Sequence, residues 1–172
     1  GIKAPFTGLL IGRSLPGFHA GEIARIANFL HSLDIADEEK TIAVAHSTLC
    51  PALLHAAAFT SPISQIALID PVVSYQSIAM NLHYKIPSWC HVPGALPYYD
   101  LADLAACIAP RPLLILSPIG PDMQPVEEQS VRNEYEIAFS AYELKEAQQY
   151  LMIHSGKAEE SEKQDWLLEW LQ

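Results

Sequence analysis

The sequence is poor in positive charge. Lys and Arg number 10 against 20 for Asp and Glu, which gives a formal net charge of -10. Binding to nucleic acid requires clustered Lys and Arg that neutralise phosphates, and an anionic membrane surface requires the same charge. The composition therefore argues against nucleic acid and against a membrane surface as partners.

Long apolar runs and a cysteine framework are also lacking. No stretch reaches the roughly 18 consecutive apolar residues of a membrane span, and no signal peptide is visible. The 3 cysteines are too few for a disulfide scaffold, although a single bridge stays open. The chain opens at Gly1 rather than Met, as a processed or excised piece would, so the compartment stays unassigned.

The hydrophobic content is ample for a core. The chain has 172 residues, of which 50% are hydrophobic and 17% are charged. A domain takes roughly 100–200 residues, so this length predicts one domain spanning residues 1–172.

Four short apolar runs predict buried strands, because each is continuous rather than alternating, as in parallel strands covered on both faces. Amphipathic or apolar stretches of helical period lie between them. The predicted strands are 41–45, 66–69, 113–116 and 150–153, and the predicted helices are 20–31, 52–59, 101–108, 127–144 and a last one around 166–171. This order predicts an α/β fold, a three-layer α/β/α sandwich around a short parallel sheet of about four strands. Residues 74–99 are rich in proline and aromatics and interrupt the alternation of strands and helices. They predict a long excursion over the strand ends.

Ser47 lies where a buried strand turns into a buried helix, in the segment TIAVAHSTLCPALLHAAAF (residues 41–59). A nucleophile elbow presents its serine at such a turn, and the backbone N–H of the next residue, Thr48, would then face a developing oxyanion. Leu49 departs from the usual G-x-S-x-G pattern, because a branched side chain stands where the second glycine keeps space clear. The alternative is that Ser47 only caps the following helix.

Two segments resemble a known family. IARIANFLHSLDIADEEKTIAVAHSTLCPALLHAAAF and VPGALPYYDLADLAACIAPRPLLILSP are similar to the acetyl xylan esterase-like branch of the α/β-hydrolase fold. The resemblance implies the C-terminal half of that fold and hydrolysis of a carboxylic ester by a serine nucleophile. Its substrate would be a small ester or an acetylated carbohydrate, with no cofactor.

The resemblance also implies the partners of Ser47. Asp122 stands where an orienting acid is expected after the strand 113–116, and the chain order Ser47, Asp122, His154 fits such hydrolases. Asp122 is equally explained as a turn residue beside Gly120. His154 would be the base, but it abuts a strand, and Lys157 stands where a histidine usually follows the glycine of the loop. The alternative for His154 is a strand-end histidine with a local hydrogen bond.

Metal ligands are sparse. His46 and Cys50 are four residues apart, without a third or fourth ligand at suitable spacing, so no metal is predicted. His55 lies in the apolar helix and is predicted to be a satisfied core histidine.

The strands that normally precede this part of the fold are missing, which predicts an open apolar edge at residues 41–45. Three elements could cover this edge: residues 1–14, a second copy of the chain, or an upstream domain. If residues 1–14 do not cover it, they are a linker.

Two functions follow. The chain is either an impaired serine ester hydrolase or a catalytically inactive, hydrolase-derived structural or binding module of a larger protein.

Overall fold

The structure is a computed structural model, and it describes residues 3–33, 40–59 and 62–172. Its centre is one parallel sheet in which the strands follow chain order, β1-β2-β3-β4. The strands are β1 Ile42–His46, β2 Gln65–Ile69, β3 Leu113–Leu116 and β4 Leu151–His154. The four predicted strands and the parallel α/β/α sandwich are therefore confirmed.

The last residues of the four strands are aligned in one row. His46 is the register partner of Ile69, Ile69 of Leu116, and Leu116 of His154. The residues that follow the strands consequently lie along one edge of the sheet, where ligands of open α/β sheets bind.

Eight helices surround the sheet in the described part of the chain. They are α1 Lys3–Leu10, α2 Leu15–His31, α3 Cys50–Phe59, α4 Tyr75–Ala79, α5 Leu101–Ile108, α6 Glu128–Glu134, α7 Glu136–Leu144 and α8 Glu160–Trp170. No helix among residues 3–33, 40–59 and 62–172 is both long and apolar enough to cross a membrane. Asp100 is the N-cap of the helix α5, and its backbone N–H is bonded in return by the Asp103 carboxylate.

Two helix predictions were wrong in detail. The helix predicted at 20–31 begins at Leu15, because the Ser14 hydroxyl accepts a hydrogen bond from Gly17 N and Pro16 fits the first turn. The helix predicted at 127–144 is divided into α6 and α7 at Tyr135. Tyr135 is fully buried, so the apolar face continues across the break and the periodicity does not reveal it.

The two faces of the sheet are covered unequally. One face packs against α3, α5 and α7 in the main core. On the other, Ala67, Leu114 and Leu116 pack against α8. Val44 of β1 keeps 49% of its surface exposed. An apolar face of the edge strand is therefore open within the described residues.

Residues 1–14 contain α1, and residues 1 and 2 lie outside the described part of the chain. This helix approaches α2, where a side chain on Gly8 would stand 3.6 Å from Phe18. Ile42 and Val44 stay exposed despite it. That this segment is a linker or covers the sheet edge stays a prediction.

Candidate functional site

Ser47 follows β1 directly in a sharp turn. Its φ is 53°, a left-handed conformation that costs a non-glycine residue about 1–3 kcal/mol and is concentrated at functional sites. The turn Ser47–Leu49 then leads into α3. The Ser47 side chain is partly exposed. The strand-turn-helix geometry of an elbow is thus present around this serine.

Leu49 does not obstruct this turn. Its side chain is 49% exposed and lines a groove of about 280 Å³ together with α2 and β1. A branched residue is tolerated here because it points out of the strand-helix junction rather than into it.

Strained turns also follow the next two strands. Asp70 comes directly after β2 with a φ of 51°, and Ser117 comes directly after β3 with a φ of 48°. Ser117 is buried, and its hydroxyl has no partner among the described residues. Sequence reasoning missed both positions, although each is the first polar residue after an apolar strand. Three neighbouring strands therefore end in polar, left-handed residues.

Asp70 is the centre of the polar network at this edge. Lys163 Nζ lies 2.7 and 2.9 Å from its two carboxylate oxygens, and His46 Nε2 lies 3.1 Å from one of them. Lys163 is only 7% exposed, and it also bonds Glu160 at 2.9 Å. Burial alone would lower the pKa of Lys163, but the hydrogen bonds to Asp70 and Glu160 outweigh it and raise that pKa. The network therefore holds a buried, charged lysine.

Asp122 lies in an exposed turn. Its Oδ1 accepts a hydrogen bond from Gln124 N at 3.1 Å, as in an Asx turn. No histidine is bonded to it among the described residues. These contacts match the turn interpretation of Asp122.

His154 is the last residue of β4, and its ring stacks on Trp166 with centroids 4.4 Å apart and planes at 12°. The strands β1 and β4 are three strand spacings apart, which is about 14 Å at about 4.8 Å each. The structure therefore does not bring His154 and Ser47 together.

The space beside Ser47 is very small. A cavity of about 10 Å³, lined also by Thr48 and Asp70, is roofed by Ile86 and Cys90 from the excursion 74–99. Such a volume holds about one water. The Thr48 N–H stands at the N-terminal end of the turn into α3, where an oxyanion donor is needed.

No group of three or more potential metal ligands occurs among residues 3–33, 40–59 and 62–172. Cys50 is fully buried, and its thiol lies 3.4 Å from the carbonyl oxygens of Ala45 and Ile69. Burial raises the pKa of this thiol, whereas His46 faces Asp70. His46 and Cys50 therefore have different partners.

His55 is a satisfied core histidine, as predicted. Its Nδ1 lies 2.6 Å from Pro51 O and its Nε2 lies 2.9 Å from Tyr99 Oη. Since a carbonyl only accepts, Nδ1 donates and Nε2 accepts from the tyrosine. Burial lowers the pKa of His55, which favours this neutral form.

The comparisons with known proteins give a structural similarity. No family model matches the chain, and a search of curated proteins found no match. The structure is similar to that of a Bacteroides fragilis protein proposed to be an acetyl xylan esterase, with a TM-score of 0.68 and 14% sequence identity. The fold is therefore α/β-hydrolase-like. The similarity covers 87% of this chain but only 38% of that protein, so the chain spans less than half of its length.

Proposed function

We propose that this chain is a hydrolase-derived module that binds or supports a partner and does not hydrolyse esters through Ser47, Asp122 and His154. The observation that carries this proposal is the stacking of His154 on Trp166, at the opposite edge of the sheet from Ser47. A general base must come within about 2.6–3.2 Å of the hydroxyl that it deprotonates. The small cavity beside Ser47 supports the same proposal.

The second candidate is a weak serine ester hydrolase for a small ester or an acetylated carbohydrate. The strained turn at Ser47 favours it, because such a conformation is retained at nucleophile elbows. In that mechanism Ser47 Oγ would attack the ester carbonyl, and the Thr48 N–H would stabilise the oxyanion. The proton would go to His154, with Asp122 orienting it, only after a rearrangement of the loop that follows β4.

A fluorophosphonate probe separates the two candidates. We expect no stoichiometric labelling, because His154 lies at the opposite edge of the sheet from Ser47. We also expect the same rate of p-nitrophenyl acetate hydrolysis in the wild-type chain and in Ser47→Ala. The control is Ser130→Ala, which removes an exposed serine of α6. Stoichiometric labelling that Ser47→Ala abolishes and Ser130→Ala preserves would establish the hydrolase instead.

The open face of β1 belongs to the same proposal. Val44 is the central residue of this five-residue strand, and Ile26, Phe29 and Leu30 of α2 are also exposed. We propose that a second copy of the chain covers this face, with the two β1 strands antiparallel about a twofold axis. That arrangement would pair the free backbone groups of both edges and place the two Val44 side chains next to each other across the twofold axis.

Sedimentation of Val44→Lys tests this pairing. We expect the wild-type chain to be a dimer and Val44→Lys to be a monomer, because the two lysines would face each other as like charges across the twofold axis. Met152→Lys is the matched control, since Met152 is a similarly exposed residue of the other edge strand, β4. A wild-type chain that stays monomeric at all concentrations contradicts the pairing and leaves residues 1–14 or an upstream domain as the cover.

A further inference from the structure

A second cavity lies within the excursion 74–99, and it measures about 420 Å³. It shares no lining residue with the small cavity beside Ser47. Its volume is within the range of about 300–1,000 Å³ that is typical of small-molecule sites. The apolar part of its wall is formed by Ile78, Leu82, Val92, Pro93, Ala95 and Leu96.

Two polar side chains in the wall have unused hydrogen-bonding atoms. Tyr75 is only 3% exposed, and its hydroxyl hydrogen has no acceptor among the described residues. The Nδ1 atom of His91 is likewise buried without a partner. The two rings are in edge contact, with centroids 6.4 Å apart and planes at 70°. Buried polar atoms are nearly always bonded, so two such atoms in the wall of one cavity indicate that a ligand completes them.

The wall carries no Asp, Glu, Lys or Arg. Burial lowers the pKa of His91, so the imidazole is neutral at pH 7. Burial also raises the pKa of the Tyr75 hydroxyl, against the opposing effect of the Val92 backbone, so this group keeps its proton. An ionic ligand would lose its hydration without meeting an opposite charge, which excludes tight binding of carboxylates and ammonium groups.

Two exposed leucines line the cavity, beside the polar side chains of Asn81 and Tyr84. Leu82 is 94% exposed and Leu96 is 43% exposed. Exposed apolar residues grouped around a concave site are typical of binding surfaces. A ligand would therefore enter with an apolar body that covers these two side chains.

We propose that this cavity binds a neutral small molecule with an apolar body and one hydrogen-bond acceptor of the carbonyl type. The acceptor takes the hydrogen of the Tyr75 hydroxyl, and His91 donates a second hydrogen bond in its Nδ1–H form. The apolar body packs on Ile78 and Val92. This proposal names a ligand class for the binding role proposed above, and it rests on that role. The cavity itself does not depend on whether Ser47 is reactive.

The probe for this site is acetophenone, which combines a phenyl ring with a neutral carbonyl. We expect saturable shifts of backbone amide signals within residues 75–96 in ¹H–¹⁵N spectra of the chain. Cumene, which has the same shape without an acceptor, is expected to bind about three- to tenfold more weakly. Benzoate is expected to produce no saturable shift. Equal binding of benzoate and acetophenone would overturn the assignment to neutral ligands.

The variant Tyr75→Phe tests the hydrogen bond directly. It is expected to weaken acetophenone binding about three- to tenfold and to leave cumene binding unchanged. It removes a hydroxyl whose hydrogen has no acceptor among the described residues and keeps the ring, so the chain should fold normally. Tyr98→Phe is the control, since Tyr98 is 87% exposed and outside the cavity wall.

Two results would overturn the site. One is acetophenone binding of equal strength in the wild-type chain and Tyr75→Phe. The other is saturable binding that persists in Ala79→Trp, in which an indole is added to the exposed α4 side of the cavity. These assays measure binding and not hydrolysis, so their failure is distinguishable from a positive fluorophosphonate result at Ser47.

Discussion

Replacing Lys163 by methionine is expected to lower the free energy of unfolding by about 2–4 kcal/mol, somewhat below the range for a fully buried pair. The side chain of Lys163 is 9% exposed and that of its partner Asp70 is 18% exposed, and the two are joined by a two-oxygen contact. Removing the lysine leaves the Asp70 carboxylate nearly buried without its cation. Urea denaturation followed by circular dichroism measures this loss at pH 7.

Lys145→Met is the matched control, because Lys145 is exposed at the end of α7, and its effect should stay within about 0.5 kcal/mol.

The contribution of the Lys163–Asp70 pair to stability also has a defined pH dependence. Since the folded pKa of Lys163 is raised, its contribution is fully present below the unfolded value of about 10.4 and is lost as the pH rises through the folded pKa. The stability difference between wild type and Lys163→Met should therefore be constant near neutral pH and should narrow in strong alkali. A difference under about 0.5 kcal/mol at pH 7 would show that the pair is not stabilising.

Replacing Arg111 by methionine is expected to cost about 3 kcal/mol or more, through the loss of several charged hydrogen bonds to carbonyl oxygens. The guanidinium donates to Ile63 O at 2.8 Å and to Ala57 O. It thereby joins the C-terminal part of α3 and the segment leading into β2 to the segment that precedes β3. Burial lowers the pKa of Arg111, but the group stays charged at neutral pH because its ordinary value is so high.

The thermal midpoint of unfolding measures the effect of Arg111→Met. Arg132→Met is its control, because Arg132 forms an exposed pair with Glu128 that is worth about 0.3–0.5 kcal/mol. Arg111→Lys should be intermediate, since an ammonium group lacks the planar fork that reaches two carbonyls at once. Equal midpoints for the two methionine variants would show that the carbonyl contacts of Arg111 contribute nothing to stability.

The sheet and the helix α5 were predictable from the sequence because their causes are local. Continuous apolar runs identified the strands within one residue at each end, and apolar residues at helical spacing predicted α5 over its observed bounds. The division between α6 and α7 was not predictable, because Tyr135 keeps to the apolar face through the break.

The polar edge of the sheet was predictable only in part. Ser47 was visible because strand, turn and helix follow each other directly in the sequence. Asp70 and Lys163 are 93 residues apart, so their pairing is a product of tertiary structure alone. The packing of His154 on Trp166 also depends on how α8 docks, which periodicity does not specify. The excursion 74–99 was expected to matter, and it contributes both the roof over Ser47 and the larger cavity.

The docking of α8 has a spectroscopic consequence. Two of the 3 tryptophans, Trp166 and Trp170, lie on this one helix and pack on the sheet, and Trp166 also contacts an imidazole. Indole emission will therefore report mainly the attachment of the chain's last segment rather than the melting of the central strands. A fluorescence transition that precedes the circular dichroism transition would reveal α8 detaching as an independent unit.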